Sequence, residues 1–183
     1  MPKQLYYNTV SNQLKTILHQ LMRSSVFKDF RLVGGTALSL QIGHRISEDI
    51  DLFTDLDYGN VDFMKIDAYF FQHFKYVDSN KTDIIGFGKS YFVGNNAKDC
   101  IKIDVYYTDN FIQKPIIIEG VRMATVEEII AMKMDVISRG GRKKDFWDIH
   151  ELINTYSFQE MLSLHKKRYP YTHDKDAIHL NFR

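Results

Sequence analysis

The stretch from Arg31 to Phe53, RLVGGTALSLQIGHRISEDIDLF, constrains the fold and chemistry of this chain more than any other segment. A short apolar run ends in Gly34 and Gly35, which sets a glycine pair at a strand-to-helix turn. Glycine lets a backbone approach a ligand closely and adopt conformations closed to other residues. Thr36 is placed to cap the helix that follows, whose unpaired N–H groups and dipole face an anion. Further on, Asp49 and Asp51 alternate with Ile50 and Leu52. On a strand the two carboxylates then share one side and the aliphatic pair turns to a core. Adjacent carboxylates are costly unless positive charge lies between them, and divalent cations supply it. The pattern is one of phosphate chemistry with metal ions. Between turn and acids, Arg45 and Ser47 either hold a phosphate by forked hydrogen bonds or brace the loop.

In order and spacing this block resembles the nucleotidyltransferase superfamily of DNA polymerase beta type, most closely its AbiEii/AbiGii toxin branch. That branch carries Gly-Gly-Thr-x-Leu followed by Arg-x-Ser-x-Asp-Ile-Asp-Leu-Phe, matched here by Gly34, Gly35, Thr36, Leu38, Arg45, Ser47, Asp49, Ile50, Asp51, Leu52 and Phe53. Two other Asp-x-Asp triplets, Asp55 with Asp57 and Asp174 with Asp176, lack that context. The resemblance implies an α+β fold of the polymerase-beta-like nucleotidyltransferase type, a mixed sheet flanked by helices with a helical carboxy-terminal part. It implies transfer of a nucleoside monophosphate from a nucleoside triphosphate to an acceptor hydroxyl, with two Mg2+ ions, or Mn2+ in their place, on Asp49 and Asp51. In the toxin branch the acceptor is often the 3′ end of tRNA, and a cognate antitoxin restrains the enzyme.

Composition is compatible with this reading without demanding it. A chain of 183 residues can bury a real core. We expect a single compact unit, with a catalytic core over residues 1–124 and a helical part over 125–183 that completes the nucleotide site. With 24 basic and 23 acidic side chains, no overall field draws the protein to nucleic acid or anionic lipid, so any such contact is local. The single cysteine, Cys100, excludes an internal disulfide framework and reads as a buried structural thiol. No apolar run approaches the roughly 20 residues that cross a bilayer. The expectation is a cytoplasmic protein with no membrane contact.

Along the chain, Leu14, Ile17, Leu18, Leu21 and Met22 recur at helical spacing, predicting an amphipathic helix that ends before Lys28. A strand over 31–33, a helix from near Thr36, the acid strand over 49–53 and a helix over 62–74 follow. Two antiparallel strands are expected around Ile84 to Gly88 and Tyr91 to Val93, with a turn at Gly94 to Asn96. From Cys100 to Tyr107, strict alternation puts Lys102, Asp104 and Tyr106 on one face and Ile101, Ile103 and Val105 on the other. The resembled superfamily takes a third carboxylate from a neighbouring strand, for metal binding and activation of the hydroxyl, which makes Asp104 the candidate. The alternative is an aspartate that simply pairs with Lys102.

In the carboxy-terminal third, Thr125-Val-Glu-Glu128 reads as a capping box opening a helix. Lys133 falls inside that helix's apolar stripe, where an ammonium is expensive without a partner. Asp145 repeats the anomaly, sharing a helical face with Asp148, Ile149 and Leu152. The toxin branch resembles this segment too, with a lysine, an arginine and a Lys-Asp pair that are here Lys133, Arg139, Lys144 and Asp145. Lys133 is accordingly assigned to the triphosphate, with Asp145 or Asp148 orienting Lys133 or the substrate. The run Arg139-Gly-Gly-Arg-Lys-Lys144 is either an RNA-backbone clamp through Arg139, Arg142, Lys143 and Lys144 or an ordinary solvated loop. Trp147 beside Phe146 is expected in the core, and the basic Lys166-Lys-Arg168 as a solvated helix end. The seven histidines have no metal-ligand spacing.

Three rival readings use the same residues. A nucleotidyltransferase acting on a protein or small molecule needs only a different acceptor surface. A metal-dependent nuclease also uses acids and a lysine, although a glycine turn before Asp-x-Asp favours triphosphate binding. A non-catalytic interaction protein retaining the fold is opposed by the intact Asp49, Asp51 and Lys133.

Overall fold

The computed structural model describes residues 4–79 and 86–182. Seven α-helices and seven strands are formed among them: α1 (Asn12–Arg23), β1 (Arg31–Val33), α2 (Gly34–Ile42), β2 (Ile50–Thr54), α3 (Phe63–His73), β3 (Tyr76–Ser79), β4 (Gly88–Asn96), β5 (Asp99–Tyr107), β6 (Ile116–Ile118), β7 (Val121–Met123), α4 (Val126–Ser138), α5 (Lys143–Leu152), α6 (Phe158–Arg168) and α7 (Lys175–Asn181). The strands make one mixed sheet in the order β3-β4-β5-β2-β1-β7-β6. At its centre β2 runs antiparallel to β1 and parallel to β5, pairing Val33 with Asp51 and Asp51 with Asp104. The mixed α+β architecture is the one expected.

The alternation in the central strands decides what faces the core. Ile50, Leu52 and Thr54 of β2 and Ile101, Ile103 and Val105 of β5 are buried, while Asp51, Phe53, Lys102, Asp104 and Tyr106 lie half-buried on the other parity. The apolar stripe of α1 is buried as its spacing required, and Ser11 caps the helix by accepting from the Leu14 N–H at 3.1 Å. Phe27, Phe70 and Tyr91 form an aromatic group in the core, with centroids 5.6 Å and 4.5 Å apart in turn. Helix α4 packs against α2, α5, α6 and α7, so the carboxy-terminal helices are joined to the glycine-turn region through one central helix.

Several local expectations are corrected. Gly94 to Asn96 does not turn the chain: it is the end of β4, carrying a bulge, and the hairpin turns at Ala97 and Lys98. The strand around Tyr91 to Val93 is the middle of β4, whereas the strand expected from Ile84 begins outside the described residues. Cys100 is half-buried rather than buried, because it shares the parity of Lys102 and Asp104 on β5. Strands β3, β6 and β7 are too short and irregular for their periodicity to announce them. No described helix is long and apolar enough to cross a membrane.

Candidate active site

The site begins where β1 passes directly into α2. Gly34 is the first helical residue and takes a φ of +67°, a left-handed conformation that favours glycine. A Cβ there would meet the Asp51 Oδ2 at 2.5 Å, and one on Gly35 would collide with the Arg45 guanidinium. The pair therefore clears space for two functional side chains, Asp51 and Arg45. Thr36 does not cap the helix. Val33 occupies the cap position without a side-chain bond, and Thr36 is buried one turn inside. From there its hydroxyl donates to the Asp49 carbonyl oxygen and lies 2.8 Å from the Ser47 Oγ. Thr36 and Ser47 fix the loop that delivers the acids, and no side chain caps the first N–H groups of α2.

Asp51 is the inner acid. Burial and the neighbouring Asp104 and Asp49 carboxylates push its pKa up to about 6, against 3.8 for an ordinary aspartate. Asp49 sits one residue before β2, more open to solvent, with the Lys144 Nζ 3.9 Å from its Oδ2. Asp104 accepts from the Ser90 hydroxyl at 2.6 Å and from the Lys102 ammonium. Burial lowers the Lys102 pKa, but the hydrogen bond to and attraction of Asp104 outweigh it and raise it overall. Asp104 is thus in register with Asp51 and also makes the pairing with Lys102 that its alternative reading expected. Among the described residues no three His, Cys, Asp or Glu side chains are already gathered as a metal-ligand cage. The donor set nonetheless suits a hard cation: oxygen donors, burial and neighbouring carboxylates that disfavour the charge on Asp51, and a glycine cradle beside it.

A second group of charges lies behind the turn. Lys133 on α4 is 6% exposed and donates to the Asp145 Oδ1 at 2.8 Å, with the Asp148 Oδ2 at 2.6 Å. Arg45 grips Asp148 with both arms of its fork, Nε to Oδ1 at 2.6 Å and Nη2 to Oδ2 at 2.9 Å. His44 Nε2 adds a contact to Oδ1 at 2.8 Å. Burial alone would raise the Asp148 pKa; the bonds from Arg45, His44 and Lys133 reverse this and hold it well below the carboxylate range. Asp145 is likewise lowered, burial being outweighed by Lys133 and by the Arg142 backbone and side chain. The structure therefore unites Lys133, Asp145 and Asp148 with Arg45, which is 103 positions from Asp148 in sequence. Sequence reasoning missed His44; a histidine beside the motif arginine was the only signal for it. Ser90 was missed as well, and it is revealed only by its register with Asp104.

The remaining candidates divide. Lys143 and Lys144 open α5, and Lys144 reaches Asp49, whereas the Arg139 guanidinium is paired with Asp135 and 71% exposed. Trp147 is not in the core: it is 55% exposed, because Phe146 takes the inward position against Phe182, with centroids 5.4 Å apart. Arg168 is not solvated either. Its guanidinium meets Glu128 with neither side chain exposed, and Glu128, instead of closing a capping box, accepts from the Ile112 and Gln113 N–H groups at 2.9 and 3.1 Å. Thr125 alone caps α4, accepting from the Glu128 N–H at 3.2 Å. Two clefts lie beside these elements. One of about 650 Å³ runs from Phe53 and Tyr107 to Met132, Asp135 and Arg139; the other, about 500 Å³, lies by Asp49, Phe92, Lys98 and Lys102. Only the second has one of the three acids, Asp49, in its lining.

Comparison with known proteins decides the family. The profile of the nucleotidyl transferase AbiEii toxin family, a type IV toxin–antitoxin system, matches residues 16–181. The chain belongs to this AbiEii family. An uncharacterized protein of Aquifex aeolicus, aq_aa25, is 27% identical, with 87% of this chain and 76% of that protein covered. JHP933 from Helicobacter pylori is similar in structure at a TM-score of 0.53 and 22% identity, over 93% of this chain and 75% of that one. An antigenic nucleotidyltransferase-like protein from Paracoccidioides brasiliensis matches at 0.53 and 18% identity, over 92% and 93%. These likenesses establish the nucleotidyltransferase fold, and membership of the AbiEii family makes the protein a nucleotidyltransferase of a toxin family.

Proposed function

We propose that this AbiEii protein transfers a nucleoside monophosphate from a nucleoside triphosphate to the 3′ hydroxyl of an RNA, the new bond to the α-phosphorus replacing the α–β phosphoanhydride and pyrophosphate leaving, with tRNA as the first acceptor class to test. The observation that carries the reading is the registered pair Asp51 and Asp104, flanked by Asp49 and standing directly against the Gly34 turn. The uncapped N–H groups of α2 face the place where phosphates would lie, and Arg45 and Lys133 stand behind it. Asp49, Asp51 and Asp104 would hold Mg2+, or Mn2+ in its place. When bound, that metal supplies Lewis-acid stabilisation of the phosphates and lowers the pKa of the attacking hydroxyl.

The protein's own side chains have distinct parts in this scheme. Asp104 is placed to take the acceptor proton or to orient the hydroxyl, with Ser90 and Lys102 fixing its two oxygens. Lys133 and Arg45 are held by Asp148, so each donor is oriented before a substrate arrives. The nucleoside fits the cleft between Phe53 and α4, where Phe53 shares the parity of Asp51. Lys144 beside Asp49 neutralises backbone charge at the acceptor. The family's type IV description supports an antitoxin protein as the biological partner, and cytoplasmic RNA as the target follows from the same reading.

The deciding experiment offers each of four α-labelled nucleoside triphosphates, with magnesium, to total tRNA beside an Asp51→Ala control. Label on RNA that vanishes in the variant is the expected result and names the nucleotide. Label on protein or on a small molecule instead would move the acceptor assignment. RNA cleavage without any nucleotide would replace transfer by nuclease chemistry.

A further inference from the structure

Trp147 is the sole tryptophan of the chain and stands exposed on α5 where no fold-making role explains it. More than half of it is exposed, although α5 has a full inward face of Asp145, Asp148, Ile149 and Leu152 to bury. Lys143, one turn before, places its Nζ 4.7 Å from the indole centroid, so a cation already lies over this ring. Lys144 beside it points the other way, to Asp49 at 3.9 Å. Arg142, 69% exposed, continues the basic surface, which Glu151 bounds at the far end of α5. The first turn of α5 thus sets Lys144 towards an acid of the site and Lys143 over an aromatic plate that is still more than half exposed. Trp147 is three residues beyond Lys144, about 4.5 Å further along the helix axis.

We infer that this end of α5 is the docking track for the single-stranded 3′ end of a nucleic-acid acceptor, with one of its last bases stacked on Trp147 and its phosphates on Lys143 and Lys144. The inference rests on the transferase reading for the position of the 3′ hydroxyl, but the track itself is a property of α5. Cations alternating with an exposed aromatic ring are what single strands require: the cations meet the backbone, and the ring accepts any base, because every base has a π-face. A duplex end, with its bases already stacked on each other, has no face to give. A protein acceptor would use neither the ring nor the pair of lysines in this way.

The lone tryptophan makes the test direct. Fluorescence of the full-length protein is titrated with an eight-nucleotide single-stranded RNA of mixed sequence, with the same sequence as a blunt duplex, and with a nucleoside triphosphate alone. The single strand is expected to quench Trp147 saturably, with affinity falling as salt rises, while the duplex and the triphosphate leave the signal largely unmoved. In transfer assays Trp147→Ala is expected to raise KM for the RNA acceptor about 5- to 100-fold, the range of one lost base stack, by more than it lowers kcat, and Trp147→Phe to recover most of the loss. Transfer to RNA with no quenching, and with Trp147→Ala behaving as wild type, overturns the track and leaves the transferase reading standing. Quenching by single strands without any detectable transfer supports the track and removes the transferase reading. Equal quenching by the duplex, or labelling of protein acceptors that is indifferent to Trp147→Ala, also overturns it.

Discussion

Gly34 stands directly against Asp51: a Cβ on the glycine would come within 2.5 Å of the carboxylate Oδ2, and its backbone φ of +67° admits few other residues. The turn and the inner acid are therefore one structural unit, and changing the first displaces the second. Gly34→Ala is expected to cost about 1–2 kcal/mol of stability from the left-handed backbone alone. The larger effect is on chemistry, since a displacement near 1 Å at a reacting group costs about 100-fold in turnover. Thermal unfolding together with kcat for nucleotide transfer checks both; a folded Gly34→Ala with normal turnover would separate the turn from the acids.

Asp51 makes the fold sensitive to pH in a definite direction. Its pKa is about 6 in the folded protein and 3.8 as an ordinary aspartate. The folded state holds the extra proton between these values, so this residue's contribution to stability is full below about pH 4 and is lost as pH rises through 6. At roughly 1.4 kcal/mol per pH unit, the penalty at neutral pH lies between about 1 and 3 kcal/mol, the lower end allowing for solvent screening. Asp51→Asn is expected to melt higher than wild type at pH 8 and nearly together with it at pH 4. Millimolar magnesium should raise the wild-type melting temperature at pH 8 and do so far less in the variant. Scanning calorimetry across that range decides it, and a variant that melts lower at pH 8 would contradict the assigned strain.

Asp148 has the opposite sign. Held well below the carboxylate range by Arg45, His44 and Lys133, it contributes stability that is complete above about pH 4 and is lost as pH falls towards its own low pKa. Asp148→Asn leaves Lys133 and Arg45 without their shared charge and should cost about 3–5 kcal/mol. Asp145→Asn should cost less, since Lys133 keeps Asp148 and Arg142 is mostly exposed. Lys133→Met leaves the buried Asp145 and Asp148 without their shared cation and should likewise cost about 3–5 kcal/mol, together with a large loss of triphosphate binding. Denaturant unfolding and nucleotide titration on the three variants test that order.

How much of this was legible depended on how local each signal was. The glycine pair, the alternating acids and the alternation of β5 are written within a few residues, and Gly34, Asp51, Asp104 and Lys133 all appear in the structure where periodicity placed them. Lys133 and Asp145 could be suspected because a charge on an apolar face needs a partner, and their pairing supplies it. The partner shared by Lys133 and Arg45 could not be singled out, because Asp148 is joined to Arg45 only by the packing of α5 on α2. Trp147 was misjudged for a similar reason: two adjacent aromatic residues cannot both face inward on a helix, and sequence does not say which one does. Short strands such as β6 and β7 carry too few residues for a period to show.

Arg168 illustrates the same limit and gives the last test. In sequence it ends a basic triplet with Lys166 and Lys167, as a nucleic-acid contact would. In the fold its guanidinium is sealed against Glu128 and donates to the Asn110 carbonyl at 3.1 Å, the Asp109 carbonyl at 3.1 Å and the Thr108 hydroxyl at 2.9 Å. These bonds join α6 to the start of α4 and to the loop after β5, the strand that carries Asp104. Arg168→Leu would leave Glu128 charged and buried, at a cost of about 3–5 kcal/mol. For a chain of this size that is a fall of roughly 6–20 °C in melting temperature. Arg168→Lys should restore little of it, because one ammonium cannot reproduce a planar fork that meets five groups at once, the Tyr169 hydroxyl among them. Lys166→Ala and Lys167→Ala, at exposed positions, should stay within about 0.5 kcal/mol of wild type. Melting curves of the four variants distinguish a structural arginine from a ligand contact: were Arg168→Leu to melt like wild type while weakening RNA binding, the basic triplet would be a nucleic-acid surface after all.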